Sequence, residues 1–367
     1  MVGTAGEMTE VNMCYDWKLA FVLPNLNLRD SIESDSFALV SPNDERLLRI
    51  KQECKPSNIL LTKFLNQFGR SVTPCAIIFK GSQPTIDRIT NFRNVVAISA
   101  IIKGWGWSIF RGQCLEAIFS DYFDLYPITP ANDGQHLIIH TPAQLGYDEA
   151  DNFSGQISPL IVYPVNNAAV LDEELLNLLL RFFKKNPKQK SWKARAIFRS
   201  LEMAYQASAI IYDNPFSESD VGSRIGLWVS AFETITHPGR GSQVGVNDVI
   251  GLLGAYNFSD RKLKQELYKY RGNKVNFVQK IYGQLYDSRN AFFHGNPIRN
   301  VHRRPLNRNK GSFLTIVPML YRIALMIQLG KIGIIRPQRG LSRRFLNIAD
   351  DMDFEKVLLK YLEYLYS

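Results

Sequence analysis

The chain has 367 residues, more than one hydrophobic core usually organises, which argues against a peptide scaffold and makes two domains the default. Hydrophobic residues at 46% and charged residues at 21% are ordinary globular usage and leave little room for a long disordered tract. The net charge of +10 is unevenly placed: residues 1–165 carry 13 Lys and Arg against 17 Asp and Glu, whereas residues 166–367 carry 31 against 17, so any polyanion-facing surface belongs to the C-terminal half.

The N-terminus has acidic residues where a signal peptide needs a basic start, and Val2 removes the glycine that myristoylation needs. No stretch is read as reaching the ~18 uninterrupted apolar residues of a membrane span, the nearest candidate, residues 95–102, ending at Lys103. The expectation is a cytoplasmic protein that is not integral to a membrane. Cys14, Cys54, Cys75 and Cys114 show no close pair of the kind that organises zinc, and are read as reduced packing residues, with no metal and no cofactor expected.

Along the first 165 residues, strand-like runs at 19–22, 37–40, 76–79 and 137–139 are punctuated by the turn chemistries PNLN, SPND, GSQP and TPANDG. One helix is expected after Pro84, over IDRITNFRNVVAISAIIK, with Ile86, Ile89, Phe92 and Val96 at helical spacing. His136 and His140 flank a strand and have no third ligand type nearby, so they are read as ordinary residues. This half assembles no catalytic constellation.

The text changes around residues 158–167, with prolines and paired asparagines before a strongly helical run, and the domain boundary is placed there. Asp172 is a natural N-cap for EELLNLLLRFFKK. Further helices are expected over 192–210, 219–235, 261–270, 274–294, 312–330 and 354–366, joined by short polar connections as in a helical bundle. The fold class is therefore α+β: a mixed α/β domain over 1–165, then an all-α domain over 166–367. Basic clusters recur in the second half, in KKNPKQKSWKAR, RKLKQELYKYRGNK and RNVHRRPLNRNK; each reads either as a polyanion contact or as a solvated face.

At 100° per residue, Val278, Tyr282, Leu285 and Phe292 fall within an arc of roughly 80°, the stripe of the 274–294 helix that faces the interior. Arg289 stands in the middle of that stripe. A guanidinium there needs a carboxylate, a phosphate or a solvent-filled cleft. His294 follows five positions later, before Gly295, Asn296 and Pro297, which stop a helix. Five positions on a helix are about 140° and 7.5 Å apart, so the two share an opening only through the reach of arginine and a loosened last turn. An Arg that holds phosphate oxygens and a His that moves a proton near neutral pH can together handle a phosphodiester.

At these residues the sequence resembles the HEPN superfamily, in particular its Apea-like group of bacterial proteins. YDSRNAFFHGNP (286–297) carries the Arg-polar-x3-His motif with the following glycine, and LWVSAFETI (227–235) looks like the upstream helix with its acidic residue. The likeness extends more loosely over 170–330, and RAIFRSLEMAYQAS and NFRNVVAIS look like what precedes the HEPN helices in long members. It implies an HEPN-like helical bundle and a metal-independent endoribonuclease in which Arg289 and His294 are catalytic, Asn290 is the polar residue of the motif and Glu233 supports Arg289 from the facing helix. It implies attack of a ribose 2′-hydroxyl on its 3′-phosphate, a homodimer that pairs two motifs, and a defence or toxin-like role. An unknown trigger would act on the N-terminal domain. The alternative is a non-catalytic HEPN-like RNA-binding or dimerisation scaffold, with Arg289 and Glu233 a structural ion pair and His294 a capping residue beside the helix dipole.

Overall fold

The structure, a computed structural model, describes residues 17–23, 26, 28–54, 57–58, 61–62, 64–66, 70–81, 84–112, 126–130, 137–139, 160–162, 171–209, 218–239, 242–335 and 354–367. His136, His140, Cys14, Cys114 and most of the boundary segment 158–167 lie outside the described residues.

Among the described residues, six strands form one antiparallel sheet in the order β2-β3-β5-β1-β6-β7: β1 (Trp17–Leu23), β2 (Ile32–Ser34), β3 (Phe37–Val40), β5 (Cys75–Lys80), β6 (Tyr126–Pro130) and β7 (Leu137–Ile139). β4 (Phe64–Asn66) pairs in parallel with β8 (Leu160–Val162). The alternation of the central strands sorts side chains to two faces. Phe37, Leu39, Cys75, Ile77 and Phe79 join one core, whereas Ala38, Val40, Ala76 and Ile78 join another with Leu47, Ile50 and Phe64. In β1 a register shift between Leu19 and Phe21 sends the consecutive Ala20 and Phe21 to the same side, as a β-bulge does. Cys75 is buried in this layer with its thiol donating to the Leu26 carbonyl at 3.0 Å, and burial pushes that thiol up to about 12, so it packs rather than reacts.

The smaller face is covered by α1 (Glu45–Glu53), capped by Asp44, whose carboxylate accepts from the Arg46 backbone N–H at 2.9 Å. The sequence reads SPND as a turn; the same aspartate also starts a helix. The larger face is covered by α2 (Ile86–Phe110). α2 runs past the expected Lys103 and is buried almost all round, which is why its apolar residues show no single stripe.

The C-terminal half consists of α3 (Glu173–Lys185), α4 (Trp192–Ala209), α5 (Glu218–Thr236), α6 (Val246–Gly254), α7 (Arg261–Lys264), a hairpin of β9 (Tyr268–Tyr270) and β10 (Asn273–Val275), α8 (Phe277–Phe293), α9 (Phe313–Lys331) and α10 (Phe354–Tyr366). Asp172 caps α3 as expected, accepting from Leu175 N–H at 3.1 Å. Two expectations are corrected. The helix expected over 261–270 is the single turn α7 followed by β9, and the helix expected from 274 begins at Phe277, so the half is not all-α. The physical reason is the Arg271-Gly272 pair, both with positive φ, which closes a two-residue hairpin in which Tyr270 pairs with Asn273. α6 was not anticipated from the sequence.

α9 is long and apolar enough by composition to cross a membrane, and 89% of its apolar window is buried inside the protein. Arg322 at its middle is fully buried and bonds Asp172 at 2.7 Å and Glu174 at 3.2 Å, tying α9 to the start of α3.

Candidate active site at the end of helix α8

α8 starts with a reciprocal cap: Asn276 accepts from Gln279 N–H and Gln279 accepts from Asn276 N–H, each at 3.0 Å. Its stripe of Val278, Ile281, Tyr282 and Leu285 is buried, and the Tyr282 ring meets Phe232 of α5 at 5.0 Å. α8 and α5 therefore lie side by side. At its other end, the His294 N–H bonds the Asn290 carbonyl at 3.0 Å, the Asn296 N–H bonds the Ala291 carbonyl at 3.1 Å, and Gly295 takes a φ of +66°. This closing pattern satisfies the last carbonyls and needs a left-handed residue, which is why His-Gly-Asn-Pro ends the helix where the sequence says it does.

Arg289 follows the buried stripe and is half-buried. Its guanidinium donates to Asn290 Oδ1 at 3.0 Å and lies over the Tyr286 and Phe293 rings at 5.8 and 5.9 Å, within cation–π range. Glu233 faces this group from α5, also half-buried. Burial raises its carboxyl above the ordinary range, and the positive charge of Arg289 opposes that rise. No direct ion pair joins them among the described residues, so the inferred support is a through-space charge interaction rather than a contact. The Tyr282 phenol lies close enough to be pushed up by burial first and then by Glu233.

His294 is exposed, and among the described residues no hydrogen bond or ion pair joins it to Arg289 or Glu233. The structure thus brings Arg289, Asn290 and Glu233 together and leaves His294 exposed one turn beyond them, at the helix end. Phe293, 62% exposed, lies over Gly226 of α5 beside the same opening.

Sequence reading missed what lies on the other side of α8. There a cavity of about 340 Å³ is lined by Asp287, Asn290, Asn296, Arg299 and His302 among others. Asp287 Oδ1 accepts from the Tyr270 hydroxyl and from Arg271, each at 2.9 Å, so the hairpin forms one shoulder of this end. The signal available in the sequence was the basic run RNVHRRPLNRNK, which reads as charge and not as a lining. A smaller cavity of about 170 Å³ lies between Trp192, Arg199, Thr234 and His237, with the Trp192 and His237 rings 5.2 Å apart. Among the described residues no group of three or more His, Cys, Asp or Glu is gathered as a metal site. Comparison of the chain with protein-family models, with curated proteins and with solved structures finds no match.

Proposed function

We propose that the protein is an endoribonuclease of HEPN type, needing no metal, that acts in the cytoplasm in defence or growth arrest. The observation that carries the reading is the half-buried Arg289, held by Asn290 and in the field of Glu233, one turn before an exposed histidine at the end of its helix. A ribose 2′-oxygen attacks its own 3′-phosphate as the bond to the 5′-oxygen breaks, leaving a 2′,3′-cyclic phosphate and a 5′-hydroxyl. Arg289 neutralises the charge that develops on the phosphoryl oxygens. His294 takes the 2′-hydroxyl proton or supplies the one the 5′-oxygen gains. Two copies related by a two-fold axis would cover Phe293 and bring two Arg-His sets to one strand. The N-terminal half would restrain the pair until a trigger acts on it.

The second reading, an RNA-binding or dimerisation scaffold, is favoured by the separation of His294 from Arg289 and by the packing of that guanidinium against Tyr286 and Phe293. One experiment separates them. Purified protein is expected to cleave single-stranded RNA in EDTA with cyclic phosphate ends, and Arg289→Ala and His294→Ala should each slow cleavage by about a hundredfold or more while sedimentation still shows a dimer. Toxicity on expression that His294→Ala abolishes serves where resting protein is silent. Cleavage that persists in both variants overturns the mechanism.

A further inference from the structure

The geometry points to the cavity beside Asn290 as a second RNA subsite, one that holds a phosphate one or two nucleotides from the scissile one through Arg299 and His302. The assignment rests on the ribonuclease reading for the identity of the strand, and on the following chemistry for the site itself.

The side chains around the cavity are mostly donors. Arg299 brings a planar fork of N–H groups suited to phosphate oxygens, and Asn290 and Asn296 bring amides. The His302 ring is oriented from below: its Nδ1 accepts the Arg299 backbone N–H at 3.1 Å across the short turn Asn300–His302, which leaves Nε2 to carry a proton and donate. The one carboxylate in the lining, Asp287, is already engaged by the Tyr270 hydroxyl and Arg271. Its charge is met locally, so the wall as a whole favours an anion. A volume of about 340 Å³ is at the low end for a ligand cavity and suits one nucleotide unit rather than a folded RNA element.

Position supplies the link to the candidate active site. Asn290 lines the cavity and at the same time holds the guanidinium of Arg289, so the two places share a residue. Asp287 and Ala291 place the cavity on a different face of α8 from Arg289, and Asn290 stands between the two faces. A phosphate in the cavity therefore lies within one or two nucleotides of the one at Arg289, and a strand that occupies both crosses the end of α8 beside Asn290. Such a subsite contributes affinity and register without reading bases.

The test measures binding without cleavage, using a short single-stranded RNA and full-length protein carrying His294→Ala. In that background Arg299→Ala and His302→Gln should each weaken binding about fivefold to tenfold, and Arg299→Ala should lower the slope of log affinity against log salt by about 0.7, the loss of one phosphate contact on a single strand. Gln keeps an acceptor for the Arg299 N–H, so a loss there is not a collapsed turn. Lys80→Ala, an exposed lysine in the half that carries no basic cluster, controls for diffuse charge and should cost no more than about twofold. Affinity unchanged in both cavity variants, or an equal loss from Lys80→Ala, overturns the subsite. Failure of the ribonuclease reading looks different: no variant and no trigger reveals cleavage, yet Arg299 and His302 still govern RNA affinity, which supports the subsite in a binding protein.

Discussion

Asp44 does two things with one carboxylate. It caps α1 through the Arg46 N–H, and it accepts from Ser31 and from the Arg46 side chain, which also pairs with Glu33. The Arg46 side-chain bonds are the largest cause of its carboxyl lying at about 2 instead of the ordinary 3.8; burial opposes them and Ser31 adds to them. A carboxyl lowered on folding stabilises above its unfolded value, so the contribution is whole above about pH 4 and is lost as pH falls toward 2. Asp44→Ala should therefore cost about 1–2 kcal/mol near neutral pH and clearly less at pH 2, where about half of the native carboxyl is protonated, which urea titrations at the two pH values would check. An equal loss at both would mean the carboxylate charge is not what matters.

At the scale of elements, the contact between the hairpin and α8 decides the shape of the candidate site. Gly283 lies under the Tyr270 ring, and a Cβ there would stand 2.6 Å from a ring carbon. Tyr270 is buried and bonded to Asp287, so it has little room to yield. Alanine at a helical glycine gains about 1 kcal/mol of propensity, whereas overpacking costs about 1–3 kcal/mol. Gly283→Ala should be destabilising on balance, and should also release Asp287 from the tyrosine and loosen the cavity shoulder. A lower melting temperature with weaker RNA binding is the expected pair of results; a raised melting temperature would show that the hairpin moves freely.

Over the whole molecule, sheet and bundle share a continuous core. Phe37 of β3 stacks on Phe92 of α2 at 5.1 Å, both meet Phe183 of α3 edge-on at 5.6 and 5.4 Å, and Phe183 reaches Phe198 of α4 at 6.3 Å. Arg88 covers this junction, 3.3 Å over the Phe183 ring, bonding the Phe183 carbonyl at 3.0 Å and Asp35 at 3.1 Å. Phe183→Ala should cost about 3–5 kcal/mol. Amide exchange in β5 and α9 should report one common opening in the unaltered protein and two separate ones in the variant, because the sheet then loses its hold on the bundle. Separate openings before any substitution would show that the aromatic junction does not couple them.

What the sequence determined by itself is what depends on neighbours along the chain. The strands at 37–40 and 137–139, the cap at Asp172, the helix over 354–366 and the stop at His294-Gly295 were legible because turn chemistry, periodicity and capping act over a few residues. The motif residues were legible for the same reason: Arg289 on an apolar stripe is a local anomaly. The hairpin at Arg271-Gly272 was lost because a Lys-rich run with helical spacing hides a two-residue turn, and α2 ran longer than expected because a helix buried all round has no stripe to end. Only the tertiary structure decided that Glu233 meets Arg289 through its field and not by contact, and that among the described residues no bond ties the exposed His294 back to either. It alone brought Arg299, His302 and the hairpin-held Asp287 around one cavity. These depend on how a loop, a hairpin and a helix end meet, and residues distant along the chain carry no local signal of one another.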